Sequence, residues 1–164
     1  MNRVRIGDRW VGDGEPCLVV AEIGINHNGS LELARKLVSS ALLAGCDAVK
    51  FQKRTVDVVF TKEDLERPRE SPFGTTNGDL KRGLEFGEEE YRAIDEFCRA
   101  QNIPWWASCW DEASVDFIEQ FNSPYNLGNF LRRLCLPKAV KHWSLRSVQI
   151  KFIKIGARLV RHAL

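Results

Sequence analysis

Three short runs suited to β-strands, each followed by a stretch of helical periodicity, fix the order of elements along most of this chain. Residues 17–23 (Cys-Leu-Val-Val-Ala-Glu-Ile) are rich in β-branched side chains and follow the turn-like Gly12-Asp13-Gly14-Glu15-Pro16. Ser30 then stands where a helix N-cap belongs. Leu33, Leu37, Val38, Ala41 and Leu42 recur at helical spacing, and Gly45 serves as a C-cap. Asp47–Gln52 reads as a second strand. Residues 84–101 read as a helix, with Tyr91, Ile94, Phe97 and Cys98 on one face and Glu88-Glu89-Glu90 favouring its N-terminus. Ile103–Cys109 is the third strand. Asp111–Phe121 is the third helix, with Val115, Phe117, Ile118 and Phe121 apolar. Strands joined through helices in the order βαβαβα must lie parallel, so the expected class is α/β.

Composition narrows the function classes. The 164 residues suffice for one domain with a real core and are too few for two ordinary ones. No apolar run approaches the ~18 residues of a membrane span, and Met1–Asp8 has no apolar signal-peptide core. The five cysteines (17, 46, 98, 109 and 135) form no C-x-x-C pair, which argues against a disulfide framework and a zinc ribbon. A reduced, cytoplasmic protein is expected. Charge is split along the chain. Residues 122–164 hold nine of the 24 Lys and Arg and none of the 22 Asp and Glu, while residues 1–121 are net −7. The expected organisation is therefore a body over 1–121 and a basic tail over 122–164.

Strand parity selects the candidate site. Leu18, Val20 and Glu22 share one face of the first strand, and Ala48, Lys50 and Gln52 share one face of the second. A charge in a buried strand is costly unless paired or used. Glu22 and Lys50 lie near the C-terminal ends of their strands, where parallel α/β folds place active sites. A structural ion pair between the two accounts for them equally well. At the same edge the third strand offers Ser108 or Cys109, and Pro104 blurs which one faces in. Residues 54–82 form a connection far longer than the usual two to six. It reads as a surface loop or disordered insertion by composition and as a substrate lid by position. Gly24-x-x-x-x-Gly29 lacks the Lys-Ser/Thr of a phosphate-binding loop. His27 has no second histidine at ligand spacing, and a lone loop histidine is expected to be hydrogen-bonded or exposed.

Four ordered motifs carry a resemblance. Residues 21–29 (Ala-Glu-Ile-Gly-Ile-Asn-His-Asn-Gly), 48–54 (Ala-Val-Lys-Phe-Gln-Lys-Arg), 84–91 (Leu-Glu-Phe-Gly-Glu-Glu-Glu-Tyr) and 107–112 (Ala-Ser-Cys-Trp-Asp-Glu) closely resemble the sialic acid (N-acetylneuraminate) synthase family. The resemblance implies a (β/α)8 TIM barrel, here cut short after about three βα units. It also implies condensation of phosphoenolpyruvate with an N-acetylated hexosamine such as N-acetylmannosamine, releasing phosphate, in nonulosonic acid or surface polysaccharide synthesis. By the same resemblance Glu22 and Lys50 are catalytic, and Lys50, Gln52, Asn26 and Ser108 bind substrate. Cys109 replaces a hydroxyl that family members often carry. A divalent metal, Mn²⁺ or Mg²⁺, assists the complete enzymes, with ligands in the second half of the barrel, so no metal ligand is assigned within this chain. Complete members form homodimers.

A full barrel takes about 250 residues, and the resemblance stops near Asn126. The tail is read as a frame-shifted or fused segment, and the 164-residue chain as an inactive, self-associating fragment. Two alternatives stay open. One is a divergent tail with a strand at Val148–Phe152; the other is a non-catalytic half-barrel or binding module whose basic tail touches an anionic partner. No membrane partner is expected, and nucleic acid ranks last.

Overall fold

The computed structural model describes residues 3–6 and 9–121. The basic segment 122–164 lies outside them, as do the strand expected there and the domain boundary after Phe121.

The chain opens with a hairpin that the sequence pattern did not suggest, β1 (Arg3–Ile6) paired antiparallel with β2 (Arg9–Gly12). Arg9 forms an ion pair with Asp47, whose other carboxylate oxygen accepts from the Val19 amide at 2.8 Å. The hairpin is thus tied to the N-terminal edge of the sheet that follows. That sheet is β3 (Val20–Gly24), β4 (Ala48–Lys53) and β7 (Trp105–Cys109), all parallel with β4 in the middle. The first strand is shorter than expected and starts three residues later, because the chain after Pro16 remains outside the ladder until Val20.

Helix α1 (Leu31–Leu43) returns from β3 to β4. Ser30 caps it, its hydroxyl accepting from the Leu33 amide at 3.2 Å. The C-cap is Ala44, with Gly45 just beyond it at φ +79°, so the expected glycine stands one position later. Ala34, Val38 and Ala41 form the buried stripe of α1.

The long connection is an ordered insertion, which corrects the expectation of a structureless loop. It holds α2 (Val56–Val59), α3 (Lys62–Glu66), a hairpin of β5 (Pro68–Ser71) and β6 (Gly74–Thr76), and α4 (Asn77–Gly83). Its order comes from local chemistry. Thr76 and Asp79 form a reciprocal capping box at α4, and the buried Asn77 amide donates to Asp64 O at 3.0 Å. Lys81 Nζ lies 3.8 Å from the Phe60 ring centre. Helix α5 (Glu88–Ala100) starts four residues later than expected, since α4 and the turn at Leu84–Gly87 precede it. Helix α6 (Glu112–Glu119) closes the described residues.

The helices cover one face of the sheet. Val49, Phe51, Trp105, Ala107 and Cys109 are buried on it, and Tyr91 stacks on Trp105 with ring centres 5.7 Å apart. The Tyr91 hydroxyl donates to Gln52 O at 2.7 Å, which pins α5 to the middle strand and pairs an otherwise buried phenol. Burial of side chains such as Phe51 contributes roughly 1.5–3 kcal/mol each.

Asp111 ties the ends of two strands together. It caps α6, accepting from the Ser114 amide at 2.9 Å and hydroxyl at 2.7 Å. It also accepts from the Thr55 amide at 2.7 Å and hydroxyl at 2.9 Å, just past β4. Burial opposes its charge, but these hydrogen bonds outweigh burial and hold the carboxyl below its ordinary value. The bonds are therefore at full strength above the ordinary carboxylate pKa and weaken as pH falls through the depressed one. Asp111→Ala is expected to cost about 2 kcal/mol in denaturant unfolding at pH 7, combining a lost cap with charged hydrogen bonds. The difference between the two proteins should shrink as the pH is lowered past 4, which unfolding curves at several pH values check.

Candidate functional site

The register of the parallel sheet brings four of the five expected site residues together. Glu22 is directly opposite Lys50, Lys50 opposite Trp106, and Gln52 opposite Ser108. Because side chains alternate, Glu22, Lys50, Gln52 and Ser108 share the face turned away from the helices. The same register settles the third strand. Ser108 belongs to this face, whereas Cys109 faces the helices, its thiol within 3.3 Å of Ser114 O. Burial, with Asp111 adding to it, pushes the Cys109 thiol up to about 12, so it stays protonated and is no nucleophile.

A bulge sharpens the arrangement. Glu22 pairs with Lys50 and Gly24 with Phe51, so β3 spends two residues against one on β4. Gly24 adopts φ +55°, a left-handed conformation that disfavours side chains. A Cβ there would lie 3.4 Å from Glu22 Oε1 and 3.5 Å from Gln52 Nε2. The carboxylate and the amide therefore converge beside this glycine.

Glu22 and Lys50 form an ion pair, as the structural alternative required. Their side chains are 47% and 26% exposed. A pair this accessible is worth about 0–1 kcal/mol, so stability alone does not account for it. Asn26 is placed differently. It is exposed in the turn after β3, and its amide donates to Ile23 O at 2.9 Å. It sits at the rim and has no hydrogen bond to the other four among those described.

His27 proves to be structural. It is 2% exposed and stacks on Phe86 at 3.8 Å between ring centres, and its Nδ1 accepts from the Gly29 amide at 3.2 Å. Burial, helped by the positive charge of Arg54, pushes its pKa down to about 4. The neighbouring Gly29 has φ +73°, and a side chain there would run into the Gly83 carbonyl and the Phe73 ring. The insertion's hairpin thus rests on the loop after β3.

The segment returning from the insertion is held by two cations that follow Gln52 in sequence. Lys53 Nζ donates to Phe86 O at 2.7 Å, and Arg54 Nε donates to Glu85 Oε1 at 2.6 Å. Arg54 is 6% exposed and lies against the rings of Phe60 and Trp110. Sequence reading passed over Arg54 and Trp110. The signal available was parity, since Arg54 continues the Lys50, Gln52 series and Trp110 the Ser108 series.

Among the described residues no group of three or more His, Cys, Asp or Glu side chains is arranged to hold a metal ion. The site face presents Glu22 as its acidic candidate, and the nearby imidazole is buried under Phe86. This donor set does not fit a divalent ion. No helix among the described residues is long and apolar enough to cross a membrane.

Comparison with known proteins agrees with the motifs. The model of the NeuB family matches residues 37–126. The chain belongs to that family. It is 40% identical over 119 residues to human N-acetylneuraminate-9-phosphate synthase, covering 71% of this chain and 33% of the human one. It is 29% identical over 161 residues to the Bacillus subtilis spore coat polysaccharide biosynthesis protein SpsE, covering 98% of this chain and 39% of that one. That alignment continues through the acid-free segment, past the last sequence motif. Among solved structures, the N-acetylneuraminic acid (sialic acid) synthetase of Leptospira borgpetersenii superposes with a TM-score of 0.61 at 23% identity. It covers 74% of this chain and 39% of that one, a likeness of fold. The chain spans about a third of the length of the curated relatives it matches first.

Two outcomes follow from the site's electrostatics. The unfolded chain takes up a proton at His27 below about pH 6.5, whereas the folded chain resists it down to about 4, so stability falls as pH drops through that window. His27→Phe, which keeps a ring on Phe86 and cannot titrate, is expected to remove about 2–3 kcal/mol of that pH dependence. Unfolding midpoints between pH 7 and 4 check it. Glu22→Gln and Lys50→Met should each shift stability by no more than about 1 kcal/mol. A larger loss would make the pair a structural device.

Proposed function

We propose that this NeuB-family chain contributes the first part of a (β/α)8 barrel performing a sialic acid synthase-type condensation. Phosphoenolpyruvate and an N-acetylated hexosamine such as N-acetylmannosamine are the substrates. The observation that carries the reading is the shared face of Glu22, Lys50, Gln52 and Ser108 at the C-terminal side of three parallel strands. That is the edge where barrels do chemistry.

The reaction needs a carbon–carbon bond, a carbon–oxygen bond and a leaving phosphate. The enol carbon of phosphoenolpyruvate attacks the aldehyde carbon of the open-chain sugar, whose oxygen takes a proton and becomes a hydroxyl. Water adds to the neighbouring carbon and loses a proton, giving a tetrahedral centre bearing hydroxyl and phosphate. That centre collapses to a ketone and expels inorganic phosphate. In this reading the Lys50 ammonium balances the phosphate or carboxylate of phosphoenolpyruvate. Glu22, beside it, takes the proton from the attacking water. The Gln52 amide and Ser108 hydroxyl orient the reactants by hydrogen bonds, and Asn26 contributes from the rim. The ion pair holds the Glu22 carboxylate against Lys50 until an anionic substrate competes for the ammonium.

The Mn²⁺ or Mg²⁺ of the complete enzymes would draw its ligands from residues other than those described and, when bound, would polarise the sugar aldehyde. The chain alone is therefore expected to release no phosphate from phosphoenolpyruvate and N-acetylmannosamine with Mn²⁺ present. A chimera with residues 1–121 in place of the matching part of the human relative is expected to release it. N-acetylmannosamine and its 6-phosphate should both be offered as the sugar. In that chimera K50M should lower turnover by about 10²–10³-fold and E22Q by about 10²–10⁴-fold. A chimera that keeps its rate with K50M would sink the assignment.

A further inference from the structure

Beyond Gln52 and Ser108 the two strands run on for one more step. The Trp110 amide donates to Lys53 O at 3.1 Å, so Arg54 and Trp110 form a further rank past the last paired residues, Lys53 and Cys109. By alternation this rank follows Lys50 with Trp106, and then Gln52 with Ser108, on the same face. The site therefore rises in steps of two residues, about 6–7 Å each, and ends in an indole.

That indole is both accessible and held. Trp110 is 48% exposed. Its ring centre lies 6.2 Å from that of Phe60 and 5.4 Å from the Arg54 guanidinium carbon. The backbone on either side is anchored, by Lys53 O before the ring and by Asp111 on Thr55 after it. Arg54 is itself fixed by Glu85 at 2.6 Å and sits 94% buried, yet its Nη2 has no hydrogen-bond partner. Burying a guanidinium donor unmet is destabilising. Leaving a tryptophan half in water forgoes burial as well. Both departures from good packing fall at one point, the top of the candidate site, which is where a fold sacrifices stability for a ligand.

We infer that Trp110 is the platform for the amino sugar: its exposed ring takes the C–H face or acetamido methyl of the N-acetylated hexosamine, and Arg54 is the positioning residue that holds the ring. This inference rests on the proposed condensation and adds to it the residue that separates the two substrates. Phosphoenolpyruvate is anionic, small and bound low, at Lys50. N-acetylmannosamine itself is uncharged and carries the apolar C–H surface that an aromatic ring recognises.

The test uses the full 164-residue chain and two probes, phosphoenolpyruvate and N-acetylmannosamine, each titrated by calorimetry and saturation-transfer NMR. W110A is expected to weaken N-acetylmannosamine at least fivefold and to leave phosphoenolpyruvate within twofold, while K50M does the reverse. W110F should stay within about threefold of the starting chain. W110L, apolar but without a flat ring, should lose affinity as W110A does while keeping the fold by circular dichroism. R54K should weaken the sugar and spare phosphoenolpyruvate. Equal sugar affinity in W110L and the unsubstituted chain overturns the inference. So does equal loss of both probes in W110L, or Lys50-dependent binding of phosphoenolpyruvate with no binding of the sugar. Failure of phosphoenolpyruvate itself to bind through Lys50 overturns the condensation reading instead.

Discussion

The middle strand β4 imposes the constraint on which the rest depends. Its period of two sends Val49, Phe51 and Lys53 toward the helices and Lys50 and Gln52 the other way. The helix-facing set supplies cohesion, through Phe51 in the aromatic cluster with Tyr91 and Trp105, and through Lys53 on the Phe86 carbonyl. The opposite set holds polar groups of the candidate site. A slip of one residue would exchange the two sets, placing an ammonium and an amide in the aromatic core. Burial on one face thus fixes the position of the candidate site groups on the other more firmly than any contact among them.

Lys53 and Arg54 show how a short basic stretch can be divided by parity. Both are substantially buried, and each answers a different acceptor on the segment returning from the insertion. Burial lowers the Lys53 pKa, with the Glu85 and Asp111 charges opposing the shift. Arg54 meets Glu85 through both its side chain and its backbone amide. His27 adds a third tie through its ring on Phe86. Glu85 and Phe86 are therefore bound from the end of β4 and from the turn after β3 together, which fixes where the insertion ends relative to the sheet.

Much of this was legible in the residues themselves. The three strands, the Ser30 cap and the parity of Glu22, Lys50 and Gln52 follow from periodicity, because a parallel strand with one covered face alternates whatever surrounds it. Ser108 could not be told from Cys109 by parity alone, since Pro104 obscures where the strand begins, and the pairing of Gln52 with Ser108 was needed. The insertion's order was hidden for another reason. Its helices are four to seven residues long and its strands three to four, too short to show a period, and they rest on caps and ion pairs. Arg54 and Trp110 were missed because each stands one residue past the end of its strand, where parity alone does not mark it, and burial against rings distant in sequence leaves no local trace.

The tie between Thr55 and Asp111 joins residues 56 apart in the chain, and Gln52 meets Ser108 across the same interval. During synthesis the first two strands can pair early, giving the Glu22–Lys50 couple a sheet of two strands with a bare edge. Gln52 then waits beside that edge until the third strand has left the ribosome. Parallel pairing of this kind is slow because the loop must close before its contacts are won. The ordered insertion between β4 and β7, built from local caps and ion pairs, needs no such closure, so the sequence separation of the sheet's partners rather than the length of the insertion sets the cost of bringing them together.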